Sequence, residues 1–194
     1  MSDHSIDSNT SFSRALILSS SKNYSKAVIH FSRALQKSPY NLHILYFDWG
    51  NALINQFKYK TALSKYRISA SICPNFSYNS WGTALLNLGE FYEAVKKYQK
   101  AYELGPNEPL FRINWSRCLY LTGNELKALV ILEEGLRSNS LLAKWHPRSI
   151  KVAYEAELQD LKWRKLKACN QEEVRLLEKV IVATKWIVKI LSSQ

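Results

Sequence analysis

The densest group of chemically capable side chains is KWRKLK at residues 162–167. Lys162, Arg164, Lys165 and Lys167 are of the type that neutralises backbone phosphates, and Trp163 is of the type that stacks on a base, a combination suited to RNA. The same run also suits a solvated helix face whose Trp packs inward. That is the expected state here, with RNA contact as the alternative. His4, His30, His43 and His146 are scattered, with no HxxxH pair or carboxylate at ligand spacing, so no metal site is expected. Cys73, Cys118 and Cys169 are odd in number and far apart, which gives neither a disulfide framework nor a zinc signature and fits a reducing compartment. No nucleophile–base constellation is visible. Neither catalysis nor a cofactor is expected.

The chain that must position such groups has 194 residues and 46% hydrophobic content, enough for one substantial core or a short stack of repeats. Six Gly and five Pro, against plentiful Ala, Leu, Lys and Glu, predict an all-α protein. The formal net charge of +11 admits nucleic acid, anionic membrane or acidic protein as partners. The charge is uneven, however. Residues 75–108 are slightly acidic and the tail from 141 onward is the most basic part, so no continuous basic stripe exists. The opening MSDHSIDSNT is polar and acidic, without the apolar core of a secretion signal or the Arg-rich character of an import signal. Residues 1–7 are expected to be disordered and the location cytoplasmic. No uncharged apolar run is long enough for a membrane span.

A repeat organises the rest. Gly50 is followed by Tyr59, Ala62, Tyr66 and Pro74, and Gly82 by Phe91, Ala94, Tyr98 and Pro106 at the same offsets. Ala15 is followed in the same way by Tyr24, Ala27, Phe31 and Pro39, and Ser116 by Glu125, Ala128, Leu132 and Ser140. The period is about 34 residues. In the third copy, Trp81, Ala84, Leu85 and Leu88 recur at helical spacing, and Gly89 then breaks the helix. Phe91, Ala94, Val95, Tyr98 and Ala101 form the stripe of a second helix, with Pro106 past its end. Small residues such as Gly82 and Ala94 permit close approach, and aromatics fill the space beside them. One pair cannot bury its own apolar faces, but a stack can.

This pattern resembles the tetratricopeptide repeat, with its early small residue, the Tyr/Phe opening helix B, the Ala pair and the closing Pro. Four copies fall at about 8–41, 43–74, 75–108 and 109–140. Trp49, Trp81 and Trp115 stand where the family usually has Leu, and its usual Trp is replaced by Tyr46, Tyr78 and Arg112. Copy one lacks the early Gly, and copy four lacks the Tyr/Phe and Pro. The resemblance implies a right-handed solenoid of antiparallel helix pairs that binds an extended peptide or a partner helix on the concave face lined by A helices. Carried over, that groove comprises Phe47, Asn51, Asn55, Asn79, Thr83, Asn87, Asn114, Arg117 and Tyr120, with Asp48 and Ser80 among their neighbours. Asn amides both donate to and accept from a peptide backbone, although Asn51 could instead only brace its helix pair. The carboxylate clamp of chaperone-binding members is not expected. It needs Lys–Asn, Asn and Lys–Arg on successive A helices. This chain offers Phe47–Asn51, Ser80 and Leu110–Asn114, or in the earlier register an Asp48 of the wrong sign.

Residues 141–194 differ, and are expected to form a two-helix cap. Pro147 suits a first helical position, and Ile150, Tyr154, Leu158 and Leu161 make one stripe. Asn170 with Glu173 resembles a capping box opening a last helix whose apolar face includes Leu177, Val180, Ile181, Trp186, Ile187 and Leu191. That face is expected to fold back on copy four and helix 147–168, giving a monomer. A dimer through 171–191 is the alternative. The sequence thus describes a non-enzymatic adaptor or assembly factor.

Overall fold

A computed structural model describes residues 8–36, 41–105, 109–137, 147–168 and 170–192. The expectation for residues 1–7, and the closing positions Pro39, Pro106 and Ser140, lie outside them. All the regular structure described is helical: α1 (Ser8–Ser20), α2 (Tyr24–Leu35), α3 (Leu42–Ile54), α4 (Tyr59–Ile72), α5 (Pro74–Leu88), α6 (Phe91–Glu103), α7 (Pro109–Leu121), α8 (Glu125–Arg137), α9 (Pro147–Lys167) and α10 (Gln171–Ser192). They form two compact units, Met1–Pro106 and Asn107–Gln194.

In the first unit the odd-numbered helices are the A helices and the even-numbered ones the B helices of three pairs. Within a pair A packs on B, and α2 and α4 also pack on the next A helix, α3 and α5. Ala27, Ala62 and Ala94 stand at the same place in each B helix and are fully buried. A side chain with no rotamer entropy to lose suits the closest part of each contact. At Gly50 an added Cβ would lie 2.6 Å from the Tyr66 ring, and at Gly82 2.8 Å from the Tyr98 ring. The glycine is therefore matched to a tyrosine sixteen positions later. In copy one, where that ring position is Phe31, the small position is Ala15, and both are fully buried.

The A-to-B turn is the same in every pair. The residue seven after the small position is left-handed: Lys22 (φ 61°), Phe57 (φ 59°), Gly89 (φ 80°) and, in the second unit, Gly123 (φ 82°). The next amide then reaches back five residues, from Asn23 to Leu18 O, Lys58 to Leu53 O, Glu90 to Leu85 O and Asn124 to Leu119 O, at 2.7–3.0 Å. This is the bond pattern that satisfies orphan carbonyls at a helix end. Only the Gly89 turn was expected from the sequence. Pro74, expected past the end of helix B, does lie past α4 and is at once the first residue of α5, with Cys73 alone between them. A proline costs nothing there, since that N–H has no helical partner.

The second unit holds the fourth pair, α7 and α8, together with α9 and α10. Ile113, Leu132, Tyr154 and Ile187, one from each helix, form its buried cluster. The N-cap of α10 is Asn170, whose Oδ1 accepts from the Glu173 N–H at 2.8 Å. No helix among the described residues is long and apolar enough to cross a membrane.

Candidate functional site

The tyrosines that lie across the glycines reach the face where the site was expected. The Tyr66 hydroxyl donates to Asn51 Oδ1 at 2.7 Å, and the Tyr98 hydroxyl lies 3.0 Å from Thr83 Oγ1. Asn51 and Thr83 each follow the glycine of their own helix. A buried phenol requires a partner at its tip, and these positions supply one. In copy one the ring is Phe31, which has no hydroxyl, and the corresponding residue is apolar Leu16. Asn51 thus braces its helix pair.

Further along the same helices, Asn55 Nδ2 donates to Asn51 O and Asn87 Nδ2 to Thr83 O, both at 2.9 Å. With their NH₂ groups turned to the backbone, the two side chains present Oδ1 as an acceptor. Thr83 Oγ1 also lies 3.2 Å from Asn79 O. Phe47 tilts against the Tyr66 ring, with centroids 6.2 Å apart. Asp48 sits beside these groups. Its charge is felt by the Tyr66 phenol. Burial raises the Asp48 carboxyl to about 6. Phe47, Asp48, Asn51, Asn55, Ser80, Thr83 and Asn87 therefore occupy α3, its C-cap and α5 of the first unit.

The other three expected groove residues lie on α7 in the second unit, and two of them are committed to its interior. Arg117 is buried, with Nη1 2.5 Å from Glu157 Oε1 and 3.3 Å from Thr184 Oγ1, while Nη2 donates to Asn114 Oδ1 at 2.8 Å. Tyr120 stacks on Trp186, with centroids 4.8 Å apart and planes at 21°. A cleft of about 480 Å³ opens beside that pair, lined by Tyr120, Arg175, Lys179 and Val182.

On α9 the tryptophan is placed differently from expectation. Trp163 points outward, 60% exposed, rather than into the unit, and Lys167 Nζ lies 4.7 Å from its ring centroid. The inward stripe of this helix passes through Tyr154 and Leu161, which are buried. Trp163 is two residues past Leu161 and so off that stripe. Lys165 is spent on Glu178 at 2.7 Å, and Lys162 and Arg164 remain on the helix with it.

Several features were missed from sequence. One is the hydroxyl relay through Tyr66 and Tyr98, for which the paired Gly and Tyr at fixed spacing were the available signal. Another is the cation–aromatic stack within the second and third pairs. Tyr46 lies parallel to Trp49 with Lys65 Nζ 3.9 Å from the indole, and Tyr78 parallel to Trp81 with Lys97 Nζ 4.1 Å away. Among the described residues no His, Cys, Asp and Glu group could hold a metal ion. Cys118 is buried, and its thiol is pushed up to about 12 by that burial, which makes it inert as a nucleophile.

No protein-family model matches the chain, and no curated protein matches it in sequence. Solved structures do match. YrrB, described as a TPR protein with an unusual peptide-binding site, superposes with a TM-score of 0.62 at 20% identity, over 70% of this chain and 71% of that one. MamA superposes with a TM-score of 0.65 at 14% identity, over 71% of this chain and 81% of its own. MamA from Desulfovibrio magneticus RS-1 gives 0.64 at 19% identity, over 70% and 79%. At such identities the likeness speaks to the fold. The chain has the all-α helical-repeat fold of tetratricopeptide-repeat proteins.

Proposed function

We propose that this chain is a non-enzymatic adaptor or assembly factor, acting in the cytoplasm as a monomer. It holds another protein, as an extended peptide or a partner helix, on the A-helix face of α3 and α5. The observation that carries the reading is the alignment on those two helices of Asp48, Asn55 and Asn87 as acceptors beside the Phe47 ring, on a scaffold fixed by Tyr66 and Tyr98. Acceptors two turns apart on one helix and on the next A helix suit the N–H groups of an extended chain. The fold likeness to a protein described by its peptide-binding site supports the same reading. Arg117 belongs, in this proposal, to the scaffold of the second unit. The test is a display library of random short peptides panned against the full chain. Selected peptides should lose affinity for a Phe47→Ala/Asn55→Ala/Asn87→Ala variant whose melting curve is close to wild type. Peptides that bind this variant equally well would move the site elsewhere.

The exposure of Trp163 supports a second reading, RNA contact through Lys162, Trp163, Arg164, Lys165 and Lys167. Phosphate contacts release counterions, so affinity for a single-stranded RNA should fall linearly on a log–log salt plot. Trp163→Ala should weaken whatever binding is present. RNA binding that ignores both salt and this substitution ends the second reading.

A further inference from the structure

Three observations on the first unit bear on what kind of segment its A-helix face takes. The first is that Asp48 is the only Asp, Glu, Lys or Arg on α3 and α5. It is half-buried, and among the described residues it has neither an ion pair nor a hydrogen bond. A carboxylate in that state is costly to the fold and is ordinarily found beside a cation.

The second concerns where the cations of the unit are. Those of the second and third pairs ride on the B helices, and several are engaged there. Lys65 covers Trp49 and Lys97 covers Trp81, while Lys96 pairs with Glu93 and Lys100 with Glu103. On the remaining A helix, Arg14 of α1 is exposed and acts on His30. Among the described residues of the first unit, none of these cations pairs with the Asp48 carboxylate.

The third is the orientation of the neighbouring amides. Asn55 and Asn87 each give an N–H to Asn51 O and Thr83 O, which leaves Oδ1 as an acceptor on the same face.

We infer that the face formed by α3 and α5 is specific for a basic peptide segment, with a lysine, an arginine or an amino terminus of the partner seated on Asp48. This rests on the peptide-binding reading proposed above and adds the chemistry of the bound segment. Water is already partly stripped from the Asp48 carboxylate on folding. An arriving ammonium or guanidinium gains the charge attraction without bearing that part of the desolvation cost. The Oδ1 atoms of Asn55 and Asn87 then accept from the remaining N–H groups of the segment. An acidic segment would meet the Asp48 carboxylate, with no lysine or arginine on α3 or α5 to receive it.

The display library separates this inference from the reading beneath it. Peptides selected on the wild-type chain should carry Lys or Arg at one fixed position. For such a peptide, Asp48→Asn, an isosteric change, should weaken binding about tenfold or more, the scale of a hydrogen bond to a charged group. Asp48→Lys should turn the selected position acidic. Circular dichroism on each variant verifies the fold. If peptides are selected without a basic position, or if Asp48→Asn leaves the preference unchanged, the face binds peptides but the charge assignment is wrong. If no peptide is selected at all, the docking reading fails and this inference fails with it.

Discussion

The Tyr66 hydroxyl meets Asn51 Oδ1 at 2.7 Å, and the ring reaches that point by lying where the Cβ of residue 50 would be. One side chain of a B helix therefore closes the packing of its pair and also fixes a polar group on the face of the A helix. The third pair repeats the device with Tyr98, Gly82 and Thr83. The scaffold and the candidate site are thus built by the same contact.

Gly50→Ala should destabilise the chain by about 1–3 kcal/mol, the range for overpacking a close-packed site. The ring cannot retreat without also losing its bond to Asn51. Tyr66→Leu in the same chain should recover part of that loss, because copy four manages with Ser116 opposite Leu132. Chemical denaturation of the two single variants and the double variant gives the coupling directly. Additive effects would mean that Gly50 and Tyr66 do not share a contact.

The left-handed turns give a prediction of opposite sign. Lys22 and Phe57 have φ of 61° and 59°, where a side chain costs about 1 kcal/mol relative to glycine. Lys22→Gly should raise the melting temperature, and Gly89→Ala should lower it. Lys22 is exposed, so nothing else is lost on substitution. Phe57 is less clean, because its ring stands edge-on to Tyr59, with centroids 6.2 Å apart.

These turns show where sequence reading succeeds and where it stops. The repeat was legible because Gly82, Ala94 and Tyr98 are placed by packing, and packing at a fixed offset recurs as residue type. The turn at Gly89 was legible for the same reason. At Lys22 and Phe57 the same backbone conformation is imposed by the helices on either side, and residue type does not record it. Trp163 was expected inside because Trp is large and apolar. Its placement depends on which stripe of α9 the other helices cover, and that is a tertiary fact. The tie from Arg117 to Glu157 spans forty residues and leaves no local pattern. At the candidate site, Asn51, Asn55 and Asn87 were identified by position. The direction of their amides, on which the chemistry depends, is set by neighbouring backbone carbonyls and tyrosine hydroxyls.

Arg117 yields a prediction for the second unit alone. Its side chain is 6% exposed, against 37% for Glu157. Arg117→Ala therefore exposes little charge but removes the group that joins α7 to α9 and α10. It should destabilise by about 2–3 kcal/mol, the scale of hydrogen bonds to a charged group, because the Glu157 carboxylate left behind is partly in water. Arg117→Met, which keeps the stem, should recover part of this. Hydrogen exchange should show lost protection concentrated in α9 and α10. Unchanged protection there would mean that the apolar cluster around Ile187 holds the helices without the tie.

Asp48 connects stability to pH with a definite sign. Burial raises its carboxyl from the ordinary 3.8 to about 6. Between those values the folded chain holds a proton that the unfolded chain has released. Stability therefore falls as pH rises through that window, and above about 6 the cost of the charged group is fully felt. Asp48→Asn abolishes that slope, and near neutral pH it should be more stable than wild type by about 1–2 kcal/mol, a value below the full shift because the group is partly in water. The same substitution is expected to weaken binding of a basic peptide. One residue would then lower the stability of the free chain and raise its affinity for the partner, the relation expected of a group kept for recognition rather than for folding. Denaturation midpoints of wild type and Asp48→Asn at a series of pH values from about 3 to 8 decide the first half. Parallel curves across that range would mean that Asp48 is solvated like an ordinary surface carboxylate.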